Sequence, residues 1–327
     1  MKKVLGMGNA LVDILVKIND DQMLEKFDLP KGSMQLVDKE KSQQLINALS
    51  HLKYEIASGG SAANTINGLA NLDNPCGYIG KIHEDKFGEI FSNDMTKKGI
   101  EAILFNGAQD TGIATTLISE DSQRTFATFL GAAVELTPED LKEEYFEGYE
   151  LFHIEGYLVQ NHELIEAAVK FAKKNGLQVS IDMASYNVVE DNLQFLRNLV
   201  EDYVDIVFAN EEESKSFTGK APEAALIEIA EMCEISIVKI GAEGSLIKTK
   251  NEKVSVNAIS ANPVDTTGAG DLYASGFLYG LANELSIERC AKLGSLLGGN
   301  VIEVIGPKMD EDRWTKIKSG VADILDE

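Results

Sequence analysis

Arginine is scarce in this chain. It stands at only four of 327 positions (Arg124, Arg197, Arg289 and Arg313), against 53 acidic side chains and a formal net charge of −23. The guanidinium is the usual two-pronged clamp for carboxylates and phosphates, so a doubly charged acceptor held by an arginine cluster is hard to build here. The acidic excess also opposes a polynucleotide backbone or an anionic membrane surface. Neither partner is expected. A small phosphate ligand stays open, because the N-terminus of a helix can hold one inside an acidic protein.

Cysteine is equally sparse. Cys76, Cys233 and Cys290 are widely spaced and form no CxxC pair, so neither a zinc site nor a dithiol redox site is suggested. Buried reduced thiols are the plain reading, and they fit a cytoplasmic address. No run approaches the ~20 apolar residues that span a bilayer. Behind Met1-Lys2-Lys3 the apolar stretch is broken by Asn9 and Asp13 with no prompt small-residue cleavage site, so it reads as a first strand rather than a secretory signal. There is no GxxxxGK[ST], HExxH or GxSxG. Gly6-Met7-Gly8 begins like a dinucleotide loop, but Leu11 occupies the third glycine position, where a bulky side chain blocks close helix–strand contact. The four histidines show no metal-ligand spacing.

What is present is alternation. Short apolar runs at Val4–Met7, 77–79, 151–154, Gln178–Asp182, 205–209 and 235–240 have strand length. Helical spacing fills 62–72, 87–99, 162–175, 193–200, 211–217 and 222–233. Strands separated by helices imply βαβ units and a parallel sheet covered on both faces. Shorter β patterns at 11–37 and 100–129, including 113–119 and Arg124–Phe129, suggest a small second sheet inserted into the α/β body.

The strongest chemical signal is Asp265-Thr266-Thr267-Gly268-Ala269-Gly270-Asp271, followed by a helical stretch over 272–281 with small residues at Ala274, Ser275 and Gly276. A glycine turn entering a helix leaves the amides of Gly268, Ala269 and Gly270 free to point at one spot, where the helix dipole adds positive charge. That suits phosphate charge developing in a transition state. Asp271, in the first turn, is placed to take a proton from an attacking hydroxyl. A plain helix cap is the alternative reading of Asp271 taken alone.

These residues resemble the PfkB (ribokinase-like) family of sugar and nucleoside kinases. Asp265 through Asp271 resembles its C-terminal signature. Gly59-Gly60-Ser61-Ala62-Ala63-Asn64, with Gly80, Asp85 and Gly88, resembles its N-terminal one, although His83 stands where relatives often carry glycine. The resemblance runs in order from Gly6 to about Gly306. It implies a three-layer α/β/α domain over 1–327 with a mostly parallel central sheet and a small β-lid from segments near 11–50 and 98–130. It also implies transfer of the γ-phosphate of ATP to a primary hydroxyl.

Residue by residue, the resemblance makes Asp271 the general base and Gly268, Ala269 and Gly270 the anion hole, with Arg124 near the phosphate path. Asn210 and Glu213, in Asn210-Glu211-Glu212-Glu213, would place Mg²⁺ and the triphosphate, partly through water. Lys239, Gly241, Gly244 and Thr267 would lie along ATP. Asp265 and Thr267 stand where some relatives hold a monovalent cation such as K⁺. Asn9, Asp13, Gly59, Gly60 and Asn64 would bind the acceptor, with Gly59 and Gly60 as a lid hinge. The stretches Gly8 to Asp13, 24–38, His153 to Tyr157 and Val204 to Val207 resemble adenosine kinases more than ribokinases. Adenosine to AMP is therefore the expected reaction, with a neutral sugar such as ribose or fructose as the alternative acceptor. Met34, Leu36, Phe129 and Tyr157 are candidates to stack a base. A non-catalytic nucleoside or sugar sensor and a nicotinamide or flavin oxidoreductase are the rivals from other classes. Monomer and homodimer are both compatible with the sequence.

Overall fold

Two patterns of apolar residues build two sheets. The structure, a computed structural model, describes residues 1–121 and 123–327. Among the described residues there are fourteen strands: β1 (Val4–Met7), β2 (Leu11–Lys17), β3 (Met34–Leu36), β4 (Tyr54–Gly59), β5 (Cys76–Ile82), β6 (Glu101–Asn106), β7 (Gly112–Ile118), β8 (Arg124–Phe129), β9 (Leu151–Glu155), β10 (Gln178–Asp182), β11 (Ile206–Asn210), β12 (Ile235–Lys239), β13 (Ser245–Thr249) and β14 (Lys253–Val256).

Nine strands pair in the order β14-β13-β12-β11-β10-β9-β1-β5-β6. From β12 to β6 every neighbour is parallel, and β13 and β14 close the other edge as an antiparallel pair. Continuous apolar strands such as Ile206-Val207-Phe208-Ala209 are covered on both faces, which gives the expected three layers. Helices Ser61–Asn71, Ala269–Ala282, Ile287–Val301 and Glu311–Asp326 pack one side through Ile66, Leu69, Phe277 and Leu297. Helices His162–Lys174, Leu193–Tyr203, Glu211–Thr218 and Pro222–Ile229 pack the other through Ile165, Leu196, Phe217 and Ile229.

The remaining strands form a second sheet, β3-β8-β7-β2-β4. Its period-2 pattern is clean in β2: Ile14 and Val16 pack beneath Leu45 and Leu49 of helix Lys39–Leu49, while Leu11, Asp13 and Leu15 face the large sheet across two cavities. The boundaries differ from the expected 11–50 and 98–130. β4 pairs with β2 without a break from Leu11–Gly59 to Val16–Tyr54, so the first segment runs to Gly59. β6 lies in the large sheet beside β5 because both its faces are covered, Ala102 and Leu104 on one side and Ile103 and Phe105 on the other. The second segment therefore starts at Gly112. Helix Lys39–Leu49, inside the first segment, has no counterpart in the sequence reading.

The three cysteines are free thiols. Among the described residues no helix is long and apolar enough to cross a membrane.

Candidate active site

The chain reverses direction across the large sheet between β1 and β9: after β1 it builds β5 and β6 on one side, then returns to β9 on the other. Ligands in such sheets gather outside the carboxyl ends of the strands at this switch point. Asn9, just past β1, and Glu155, the last residue of β9, meet there. The Asn9 backbone N–H and Nδ2 both donate to Glu155 Oε1, at 2.9 and 2.5 Å, and the Ala62 amide donates to Oε2 at 3.0 Å. Burial pushes the Glu155 carboxyl up to about 7 despite these bonds. Asn9 therefore spends its donors on Glu155, while its side chain still lines the larger cavity.

The strands that follow end in polar residues on the same rim: Asp182 on β10, Asn210 on β11 and Lys239 on β12. Lys239 Nζ donates to Asp182 Oδ2 at 2.8 Å. Burial alone would lower this ammonium, but the charges of Asp182 and Glu213 hold it above the ordinary lysine range. Asn210 and Glu213 form a reciprocal cap on helix Glu211–Thr218: Glu213 N–H donates to Asn210 Oδ1 at 2.9 Å, and Asn210 N–H returns to Glu213 Oε2 at 2.8 Å. Burial raises the Glu213 carboxyl, and Asp182 raises it further.

Asp271 sits in the first turn of helix Ala269–Ala282, whose entry residue Gly268 has φ +76°. Ser61 Oγ donates to its Oδ1 at 2.7 Å and Asn64 Nδ2 to its Oδ2 at 2.9 Å, while Thr65 Oγ1 donates to its carbonyl at 3.1 Å. Burial lifts the Asp271 carboxyl to about 6, with these two side-chain bonds pulling the other way. Ionising it there costs on the order of 3 kcal/mol relative to water. The fully buried Phe277 and Leu278 and the nearly buried Leu272, further along the helix, contribute roughly 1.5–3 kcal/mol each and anchor the tip against that cost. The amides of Gly268, Gly270 and Asp271 donate to no group among the described residues, but Ala269 N–H is taken by Thr266 O at 3.2 Å. Ala269 is thus a correction to the expected anion hole. Lys239 Nζ fills part of that space, 3.0 Å from where a Cβ on Gly270 would lie.

Arg124 reaches across from β8. Its Nη1 donates to Thr267 Oγ1 at 2.6 Å and its Nη2 pairs with Asp265, leaving a buried Nε without a partner. Asp265 also accepts from Thr267 N–H at 2.9 Å and from the Gly306 amide, and its side chain is fully enclosed. A guanidinium therefore occupies the charge position expected for a monovalent cation, and both Asp265 oxygens are engaged. K⁺ at Asp265 does not fit this arrangement.

Two cavities meet at Gly60, Ser61 and Tyr157. The smaller, about 340 Å³, is polar and is walled by Asp13, Asn64, Arg124, Asn210, Glu213, Lys239, Thr267, Gly270 and Asp271, among others. The larger, about 830 Å³, carries Leu11, Met34, Leu36, Leu130, Val134, Leu136 and Tyr157 on one part of its wall and Asn9, Glu155, Gln160, Asn161, His162, Glu163, Asn187 and Asp191 on the rest, with no lysine or arginine. Three of the four stacking candidates thus converge. Phe129 does not, since it lines a separate cavity under helix Lys39–Leu49.

Gly60 has φ +98°, and a side chain there would collide with the Asn9 carbonyl. The Cβ of any residue at Gly59 would fall on the Asp13 carboxylate. Gly59 therefore makes room for Asp13 rather than for a ligand. Gly241 and Gly244 shape the β12–β13 turn and line neither of these two cavities. Asp85 caps helix Lys86–Lys97 through Gly88 N–H and binds the Thr111 amide, a structural task. Sequence reasoning missed Ser61, Glu155 and Asp182 as site residues. For Glu155 and Asp182 a signal existed, since each is an acid closing an apolar parallel strand.

Asp182, Glu213 and Asp271 crowd one rim, where the Asp182 charge adds to burial in raising the proton affinity of Glu213 and of Asp271, with Lys239 as the cation among them. Three acids against one ammonium leave an excess of negative charge that a divalent cation relieves, and oxygen donors suit Mg²⁺. No group of three or more His, Cys, Asp or Glu among the described residues is arranged to cage a metal directly. The donors present therefore fit a hydrated ion shared with phosphate oxygens.

A family profile described as pfkB family carbohydrate kinase matches residues 32–313. A probable sugar kinase protein from Rhizobium etli CFN 42 superposes with a TM-score of 0.88 at 36% identity, over 98% of each chain. The adenosine kinase from Sinorhizobium meliloti superposes with a TM-score of 0.87 at 34% identity, over 98% of this chain and 99% of that one. The 5-dehydro-2-deoxygluconokinase of Bacillus subtilis (strain 168) is 27% identical over 300 residues, covering 87% of this chain and 91% of that protein.

Proposed function

Because this chain belongs to the pfkB family of carbohydrate kinases, we propose that it transfers the γ-phosphate of ATP to the primary hydroxyl of a nucleoside, adenosine before others. Kinases of this family phosphorylate hydroxyl groups of sugars or nucleosides, generally with ATP and Mg²⁺. The observation that carries the choice of acceptor is the apolar wall of Leu11, Met34, Leu36, Leu130, Val134 and Tyr157 in the 830 Å³ cavity, which opens directly onto the polar one that holds Asp271. A base is flat and apolar on its faces, whereas a free sugar presents hydroxyls all round and leaves such walls without use. The structural likeness to the Sinorhizobium meliloti adenosine kinase agrees. The gluconate in the name of the Bacillus subtilis relative is an anion, and no lysine or arginine lines the larger cavity to receive one.

In this reading Asp13 accepts the ribose hydroxyls, and the primary hydroxyl points at Asp271. As its oxygen attacks the γ-phosphorus, its proton passes to Asp271. The bond from phosphorus to the β,γ-bridging oxygen breaks, and ADP leaves. Ser61 and Asn64 fix the carboxylate's orientation, and its raised proton affinity makes it a better base while it stays mostly ionised at neutral pH. The free amides of Gly268, Gly270 and Asp271, the two unused Lys239 protons and Arg124 Nε face the charge on the transferring group. Asn210 and Glu213, with water, would hold Mg²⁺, which when bound would supply charge neutralisation on the phosphates. The small sheet, closing as a lid, would exclude water.

A neutral sugar is the second reading, favoured by the Rhizobium etli likeness and by the polar cavity around Asp13. ADP release over a panel of nucleosides, neutral sugars and sugar acids decides. Adenosine should give the highest kcat/KM. A preference for a sugar transfers the reading to that acceptor, and no turnover with any member leaves a binding protein.

A further inference from the structure

Lys308 takes no part in the chemistry above, yet it is enclosed beside it. The loop Gly306-Pro307-Lys308 is pinned at three points: Gly306 N–H donates to Asp265, Pro307 abuts Gly268, and Lys308 Nζ donates to Ser58 Oγ at 3.0 Å. That is the ammonium's one hydrogen bond among the described residues. Ser58 precedes Gly59, whose missing side chain makes room for the Asp13 carboxylate. On the other side of the strand, Asp13 faces the polar cavity and receives no hydrogen bond from any described residue. A half-buried ammonium on Ser58 and a cavity-facing carboxylate over Gly59 thus stand at adjacent residues of β4, each short of partners.

We propose that Lys308 is a positioning residue for the acceptor: its ammonium, held on Ser58 next to Gly59, favours the ionised Asp13 carboxylate, turned into the cavity, that accepts two hydroxyl hydrogens. The proposal rests on the reading of Asp13 as the acceptor's ligand. The surrounding charges make it necessary. Burial pushes Asp13 up to about 7, and Asp271 across the cavity pushes the same way, while Lys308 pulls it down. Burial lowers Lys308 itself to about 8 and Lys98 pulls the same way, while Asp94, Asp13 and, least, Asp271 raise it. Asp182, Glu213, Lys239 and Arg124 line the same cavity further off. Without Lys308 nothing adjacent opposes protonation of Asp13, and a protonated carboxyl donates one hydrogen where the acceptor needs two accepted.

The test compares wild type with Lys308→Met, which keeps the volume, and Lys308→Arg, which keeps the charge. For Lys308→Met the acceptor KM at pH 7 should rise roughly 5- to 20-fold. The acidic limb of kcat/KM for the acceptor should move to higher pH, with the KM for ATP within twofold, and Lys308→Arg should recover most of the loss. Independently of any acceptor, the ¹³Cγ shift of Asp13, assigned by its loss in Asp13→Asn, should titrate at higher pH in Lys308→Met than in wild type. An unmoved Asp13 titration overturns the pairing, even if turnover falls. A moved titration with an unchanged acceptor KM overturns the role in acceptor binding. If no acceptor in the panel is phosphorylated, the kinase reading fails while the titration still decides the pairing.

Discussion

Ser61 Oγ lies 2.7 Å from Asp271 Oδ1, joining residues 210 apart in the chain. One belongs to the first turn of helix Ser61–Asn71 and the other to the first turn of helix Ala269–Ala282, so two helix N-termini converge on a single carboxylate. Positive ends of two dipoles and two side-chain donors favour the ionised form, and burial opposes it. The balance lands near 6, low enough for Asp271 to be charged at neutral pH and high enough for it to accept a proton.

Replacing Asp271 with Asn keeps the shape and removes the base. Steady-state kinetics should show kcat lowered roughly 10²–10⁴-fold with the KM for ATP little changed. Unaltered turnover would remove Asp271 from the mechanism.

Ser61→Ala and Asn64→Ala test the tuning. Each removes a bond that lowers the Asp271 proton affinity, so the affinity should rise above its present value. The acidic limb of kcat, set near pH 6 in the wild type, should shift upward by about half a unit to one unit per substitution. At pH 8.5, where Asp271 is ionised in every variant, kcat should recover more than at pH 6. A loss independent of pH would mean that the two donors only orient the carboxylate.

Much of this was readable from the chain. The strands Gln178–Asp182 and Arg124–Phe129 match the sequence reading to the residue, because apolar or β-branched runs between turn signals have few other uses. The glycine loop before Asp271 could be read because its chemistry is local. What escaped depended on contacts that no spacing encodes. Lys308 is defined by a loop folded beneath β4, and the pairing of Asp265 by an arginine 141 positions earlier, on β8 of the small sheet. The assignment of β6 to the small sheet failed for a different reason: its continuous apolar run Ala102-Ile103-Leu104-Phe105 is the pattern of a strand covered on both faces, yet the sequence reading groups it with the neighbouring β-rich segment instead.

The larger cavity offers a test of acceptor class that spares the fold. Leu36 lies on its wall yet is 56% exposed, so Leu36→Asp should cost little stability. A carboxylate against an apolar ring face loses affinity on the order of 10-fold or more. The KM for adenosine should rise by that factor and the KM for ATP should not. If the KM for a neutral sugar rose equally, the base would not be what Leu36 meets.

Glu155 predicts how the protein without ligand responds to pH. Its carboxyl stands at about 7 when folded against 4.5 for an ordinary glutamate, so between those values the folded chain binds more protons than the unfolded one. Its contribution to stability is therefore fully present below pH 4.5 and lost as pH rises through 7. Asp13, also near 7, and Asp271, near 6, act in the same direction. His153 opposes them: burial holds its imidazole down at about 4, so stability from that group falls as pH drops from 6.5 to 4. Thermal unfolding should accordingly show Tm declining from pH 6 to pH 8. Glu155→Gln, which carries no charge at either pH but keeps only one oxygen, for the Asn9 donors or for the Ala62 amide and not both, should lower Tm overall and flatten part of that decline. A Tm difference between the two proteins that stays constant from pH 5 to pH 8 would mean that Glu155 is held ionised throughout, and that Asn9 rests on a fixed anion rather than on a carboxyl that titrates within the working range.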